Sequence, residues 1–167
     1  MLSMAIKINV SRKDQETINN FLEKAGYARQ RRKYHCTFGF IEKSIPVEEA
    51  ETFGKAIMHL LQEYIFLSPL CFEVETVVHI FGHVIAFLPT SSSLIQLKEM
   101  NQWLSQEIKE TSTERWELNE ETKNVNYVPH MTLWRTRHPG ARLKRLQEIV
   151  KDHPSFHLIE ASYVLFN

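Results

Sequence analysis

Tyr34-His35-Cys36-Thr37-Phe38 and Pro129-His130-Met131-Thr132-Leu133 are the stretches on which the reading of this chain turns. Both read His, apolar, Thr, apolar. Side chains alternate along a strand, so His35 and Thr37 share one face, and His130 and Thr132 share another. Cys36, Phe38 and Phe40 point the opposite way, as do Met131 and Leu133, and helices can cover them. Each strand therefore holds one His and one Thr on its open face. A lone His-x-Thr carries little information. His153-Pro154-Ser155 fits a loose form of it, but Pro154 cannot donate to a central ladder and the site follows a helix end. The doubled pattern also fits two half-buried histidines with threonine chosen for strand propensity.

Around these stretches the elements follow from hydrophobic period. Met4–Val10 alternates, with Ile6, Ile8 and Val10 on one face. Ser11 opens a helix, with Asp14 in a capping-box-like position, an Ile18, Phe21, Leu22, Ala25 stripe and Gly26 as its stop. Tyr34–Ile41 is the second strand. Pro46 starts a second helix with Ala50, Phe53, Ile57, Leu60, Leu61 and Tyr64 on one side. Phe72–Phe81 and His83–Leu88 pair around a turn near Gly82. Pro89 and a Thr-Ser-Ser-Ser run lead into a third helix, with Leu94, Leu97, Leu104 and Ile108 inward. Residues 111–126 are polar and read as a long loop, either a lid or a solvated connector. Tyr127–Trp134 is a strand. Pro139-Gly140 precedes a fourth helix carrying Leu143, Leu146, Ile149 and Val150. Phe156–Phe166 is the last strand. The order β-α-β-α-β-β-α-β-α-β predicts an α+β fold with helices over the outer sheet faces. No linker or low-complexity tract interrupts it, so residues 1–167 read as one domain.

Composition excludes several classes. The chain has 167 residues, 43% of them apolar and 24% charged, which is enough for a core without staples. No apolar run approaches the ~20 residues of a membrane helix, and Met1–Val10 lacks the features of a signal peptide. Cys36 and Cys71 make neither a disulfide framework nor a zinc site by themselves, and a reducing, cytoplasmic setting is expected. Lys+Arg and Asp+Glu balance at 20 each, but unevenly. Residues 11–33 are net +4, residues 42–121 net −9 and residues 135–151 net +5. Screening confines such fields to about 8–10 Å, so each basic island acts locally or is simply a solvated face.

The paired His-Cys-Thr-Phe and Pro-His-Met-Thr-Leu-Trp-Arg segments resemble those of the 2H phosphoesterases, the superfamily of the bacterial LigT-like cyclic phosphodiesterases and 2′-5′ RNA ligase-like proteins. The resemblance covers most of the chain. It implies a bilobal fold of two pseudo-symmetric lobes, with two antiparallel sheets lining a central cleft and helices on the outer faces. His35, Thr37, His130 and Thr132 match the family's catalytic positions. Arg135, five after His130, matches a phosphate-contacting arginine of some members. Strict alternation turns Arg135 to the far face, so it fits only if the strand ends or bulges first.

The residues support the same chemistry. Two imidazoles supply one base and one acid near neutral pH. Threonine hydroxyls can hold non-bridging phosphate oxygens, and arginine adds charge relief. The expected activity is metal-independent, cofactor-free hydrolysis of RNA or nucleotide 2′,3′-cyclic phosphate. A 2′,5′-phosphodiesterase acting on oligonucleotides such as oligoadenylate uses the same pair, and a non-catalytic RNA-binding module is the further alternative. RNA ends or small nucleotides are the expected partners of a monomer. Arg29, Arg31, Arg32 and Lys33 lead into the first motif, and Arg137, Arg142 and Lys144 follow the second. Trp134, Tyr127 and Trp116 are candidate base-stacking surfaces, with core packing as the alternative. Cys36 is a nucleophile by type, but alternation points it into the core. His79 and His83 flank a turn and lack the carboxylate or cysteine neighbours of a metal site.

Overall fold

A nine-residue first strand, β1 (Leu2–Val10), runs through the centre of one half of the molecule. The computed structural model describes residues 1–167, all but Asn124 with their side chains. Met4, Ile6 and Ile8 are fully buried on one face of β1, while Ala5 and Lys7 occupy the other. Ser11 caps α1 (Arg12–Ala25) by accepting from the Asp14 amide at 3.1 Å. The capping box is not completed. The Asp14 carboxylate instead accepts from the His157 amide at 2.6 Å and so ties the helix to the last strand. Gly26, at φ 96, closes α1 in the left-handed region open to glycine.

The chain continues through β2 (His35–Ile45), α2 (Val47–Leu67), β3 (Leu70–Ile80), β4 (Val84–Pro89), α3 (Ser91–Thr111), β5 (Met131–Arg135), α4 (Gly140–Ile149) and β6 (Ser155–Phe166). All strand pairs are antiparallel, in the order β1-β2-β5-β4-β3-β6, and the ring closes between β6 and β1. Two separate sheets were the expectation; the pairing gives one closed array. Two seams join what would be its halves: Cys36 faces Met131 between β2 and β5, and Leu70–Glu73 face Leu158–Ser155 between β3 and β6. Closure pairs edge groups that two open sheets would leave unpaired. Helices α1 and α4 pack on each other, and α2 packs on β6 and α3. Phe87 stacks on Phe156 at 5.6 Å between ring centroids, and Phe156 meets Phe21 of α1 edge-on.

The halves share a register detail that alternation alone conceals. In β2, Thr37 pairs with Lys7 but Gly39, two residues on, pairs with Ile6, the next residue of β1. In β5, Thr132 pairs with Ala86 but Trp134 pairs with Ile85. Each motif strand thus carries one extra residue, Phe38 or Leu133, directly after its Thr. A bulge of this kind bends the strand and re-aims the side chains beyond it.

The 111–126 stretch is anchored to the body of the protein at several points and contributes Glu120 and Glu121 to a cavity beside His130. Trp116 and Leu118 are buried, Trp116 packing edge-on to Phe53 at 4.6 Å. Asn101 of α3 donates to the carbonyls of Phe38 and Thr122, at 2.7 and 2.8 Å, which clamps the loop to β2. The Phe40 amide donates to the Thr122 hydroxyl, and the Asn119 amide donates to the Phe40 carbonyl. Gly39 makes this approach feasible, since a Cβ there would lie 2.5 Å from Leu118 Cδ2.

Candidate functional site

The site forms at the thinner seam. Cys36 and Met131, the residues between His and Thr in the two motifs, are cross-strand partners. Extending that antiparallel register by one residue each way sets His35 against Thr132 and Thr37 against His130. Four half-buried polar residues therefore surround one pair of fully buried apolar ones.

Both imidazoles are held in the same way. His35 Nδ1 lies 3.0 Å from the Lys33 carbonyl, and His130 Nδ1 lies 2.9 Å from the Val128 carbonyl. A carbonyl only accepts, so Nδ1 carries the proton and Nε2 is left with the lone pair in each neutral ring. The matching i−2 bonds fix tautomer and orientation together. Burial lowers the pKa of His35, opposed by the bond to the Lys33 carbonyl and reinforced by the positive charges of Lys7 and Arg32 and by His130.

Two spaces meet at Thr37 and His130. One is a groove of about 350 Å³ lined by His35 and Thr132 and by Arg32, Lys33, Trp134 and Arg135. Because of the bulge at Leu133, Trp134 and Arg135 both reach this groove, which meets the condition alternation set for Arg135. The other is a cavity of about 680 Å³ bounded by Phe81, Tyr127 and Val128, with Glu120 and Glu121 on its wall.

Several expected residues fall elsewhere or act differently. Tyr127 is not a stacking surface: it is 3% exposed, and its hydroxyl donates to the Thr37 carbonyl at 2.8 Å. It braces the motif strand from below. Trp116 is likewise core. Trp134 is half-buried, its ring 5.4 Å from that of Tyr27, and it keeps an edge on the groove. Cys36 is buried, and burial pushes its thiol up to about 12, so it stays protonated and inert. His79 Nε2 contacts the Thr136 carbonyl and His83 Nδ1 the Phe81 carbonyl, which commits both to the backbone.

The basic islands divide. Arg29 is engaged by Glu16 and Glu23, and the Lys33 ammonium meets Glu160 at 2.7 Å. Arg142 lies over the Tyr27 ring at 4.6 Å, and Arg145 donates to the Ala25 carbonyl at 3.2 Å, both serving the end of α1. Arg32 and Arg135 are the island arginines that line the groove.

Two residues escaped the sequence reading. Lys7 stands on β1 between Thr37 of β2 and Ser162 of β6, and burial and then Arg32 lower its pKa. Its signal was a charged residue at one position of an otherwise apolar strand. Phe81, at the β3–β4 turn, sets its ring edge-on to His130 with centroids 5.3 Å apart.

A closed six-stranded antiparallel array carries four helices, and its two motif strands meet at one seam. The solved structure of Usb1 from Kluyveromyces marxianus with uridine monophosphate matches it at a TM-score of 0.50 and 11% identity, over 98% of this chain and 96% of that one. Usb1 is a member of the 2H superfamily. At that identity the likeness is one of fold. No protein-family profile and no curated protein matches the chain. Among the described residues, no helix is long and apolar enough to cross a membrane.

Proposed function

We propose that this chain is a metal-independent phosphodiesterase that opens 2′,3′-cyclic phosphates on RNA ends or nucleotides. The observation that carries the reading is the matched pair of imidazoles, each with Nδ1 on the carbonyl two residues before it, set diagonally across the Cys36–Met131 pair. Usb1, which shares the fold, acts as a phosphodiesterase at RNA 3′ ends. The equivalent bulges after Thr37 and Thr132 support reading residues 1–167 as one domain of two duplicated lobes.

In the proposed reaction one Nε2 takes a proton from water while the water oxygen attacks phosphorus. The other imidazole, protonated, gives its proton to the departing ribose oxygen, and a phosphomonoester and a free hydroxyl result. Thr37 and Thr132 donate to the non-bridging oxygens, and Arg135 offsets their charge. The lowered pKa of His35 favours its neutral form near pH 7, the form a base requires.

The test is turnover of nucleoside 2′,3′-cyclic phosphates and of 2′,5′- and 3′,5′-linked dinucleotides, with products identified by HPLC. His35→Ala and His130→Ala should each lower kcat by about 10²–10⁴-fold. Both are half-buried at a seam already braced by Tyr127, so the melting temperature should hardly change. Turnover of only the 2′,5′ linkage would move the assignment to the 2′,5′-phosphodiesterase reading. RNA binding without turnover of any substrate would make the chain a binding module.

A further inference from the structure

Lys7 is the odd residue of β1. Its side chain shares a strand face with Ala5 and Asn9, opposite the fully buried Met4, Ile6 and Ile8. The register sets it in a row across three strands, with Thr37 of β2 on one side and Ser162 of β6 on the other. Thr37 lines both spaces that meet at the site. Adjacent strands lie about 4.8 Å apart, so a lysine on β1 can reach the phosphate oxygens that the Thr37 hydroxyl serves.

The charge of Lys7 is not offset within the protein. The residue is half-buried, which disfavours the ammonium, and the Arg32 guanidinium repels it further. Both cations press in turn on His35. Two residues along β6 from Ser162, the Glu160 carboxylate is already held by the Asn9 amide at 2.9 Å and by the Lys33 ammonium at 2.7 Å. Among the described residues no carboxylate acts on Lys7. A half-buried cation beside a second cation is unfavourable in the free protein, and an anion that meets both relieves it. A cyclic phosphate diester brings one negative charge, and a second develops as water adds to phosphorus.

We propose that Lys7 is a catalytic residue of this site: its ammonium binds a non-bridging oxygen of the reacting phosphate from the β1 side, next to Thr37, and offsets the charge that develops there. The ammonium keeps its protons throughout, and proton transfer stays with His35 and His130. This rests on the phosphodiesterase reading, and deepens it by naming the cation that meets the transition state from the first strand.

The test compares wild-type protein with Lys7→Met and Lys7→Arg. Methionine keeps an unbranched stem without charge, and arginine keeps the charge. The ligands are uridine 2′,3′-cyclic phosphate and the two diastereomers of uridine 2′,3′-cyclic phosphorothioate, in which sulfur replaces one or the other non-bridging oxygen. The readout is kcat/KM, or calorimetric Kd for a ligand that is not turned over, with thermal unfolding of the free proteins beside it. Lys7→Met should weaken the readout on the cyclic phosphate about tenfold or more, as expected for a lost charge-assisted hydrogen bond, and Lys7→Arg should retain most of it. The loss should be smaller on the diastereomer whose sulfur already stands where Lys7 makes its contact. The free Lys7→Met protein should melt at or above the wild-type temperature, because an unopposed charge has been removed. An unchanged readout on the cyclic phosphate would overturn the proposal. Equal losses on both diastereomers would also overturn it, and leave Lys7 acting on His35 through its field alone. A lower melting temperature would show that the free protein already offsets the ammonium, which removes the ground for the proposal. Absence of turnover with the same pattern in Kd would refute only the phosphodiesterase reading.

Discussion

At the residue scale, the two threonines separate chemistry from strand preference. Both are half-buried, and the register sets each across the seam from the histidine of the other motif. Valine keeps the β-branched shape that suits a strand and removes the hydroxyl. Thr37→Ser and Thr132→Ser should therefore retain most activity, and the valine variants should lose tenfold or more, about the worth of one charge-assisted hydrogen bond. Equal kcat/KM in the serine and valine variants would return both residues to a structural role. Lys7 tests the electrostatics. Its charge helps depress His35, so Lys7→Met removes a repulsion from the protonated ring and raises the His35 pKa. The limb of the pH–rate curve that His35 carries must move to higher pH. Movement of the acidic limb makes His35 the base, and movement of the alkaline limb makes it the acid. The apparent values belong to the pair, so the direction of movement is the datum. A profile unmoved in both limbs would remove Lys7 from the electrostatics of the site. His35, Thr37, His130 and Thr132 were legible because period-2 alternation is a local property. Lys7 and Phe81 were not, because their meaning depends on which strand lies beside them.

At the element scale, the four helices were readable from their apolar stripes, and the stop of α1 from Gly26. The motif strands were harder. The apolar run from Tyr127 reads as strand, yet β5 begins only at Met131. Pro129 has no amide proton for the ladder, and the Val128 carbonyl is taken by His130 Nδ1. The bulges at Phe38 and Leu133 were invisible for a related reason: an extra residue shows only against a partner strand. The first bulge leads into Gly39, where the loop beneath the site presses on β2. Gly39→Ala should cost about 1–3 kcal/mol, because Leu118 is itself buried and has little room to retreat. Leu118→Ala in the same chain should recover part of that loss, although it removes core volume. Chemical denaturation of the single and double variants measures the coupling. Additive losses would mean that the contact between Gly39 and Leu118 does not limit packing there.

At the scale of the whole molecule, the missing information was closure. Each strand's pattern fits either two facing sheets or a ring, and only the pairing of β2 with β5 and of β3 with β6 decides. Closure also sorts the charge. Sequence showed two basic islands about a hundred residues apart, and both seemed equally placed for an RNA backbone. The fold brings Arg32 of one and Arg135 of the other to a single groove, and spends Arg142 and Arg145 on the end of α1. These two sets should respond differently to salt. Each phosphate contact on a single strand contributes about 0.7 to the slope of log K against log salt. Arg32→Ala with Arg135→Ala should therefore reduce the slope for a single-stranded oligonucleotide by about 1.4, while a mononucleotide cyclic phosphate, with one phosphate, should show a shallow slope before and after. Arg142→Ala with Arg145→Ala should leave the oligonucleotide slope unchanged and lower the melting temperature, since it removes a cation–π contact and a bond to a helix-terminal carbonyl. The measurements are anisotropy titrations across a salt series and thermal unfolding of both double variants. A reduced slope in the Arg142/Arg145 pair would extend the RNA path over α4. An unchanged slope in the Arg32/Arg135 pair would confine recognition to the reacting phosphate and make the chain an enzyme of small nucleotides.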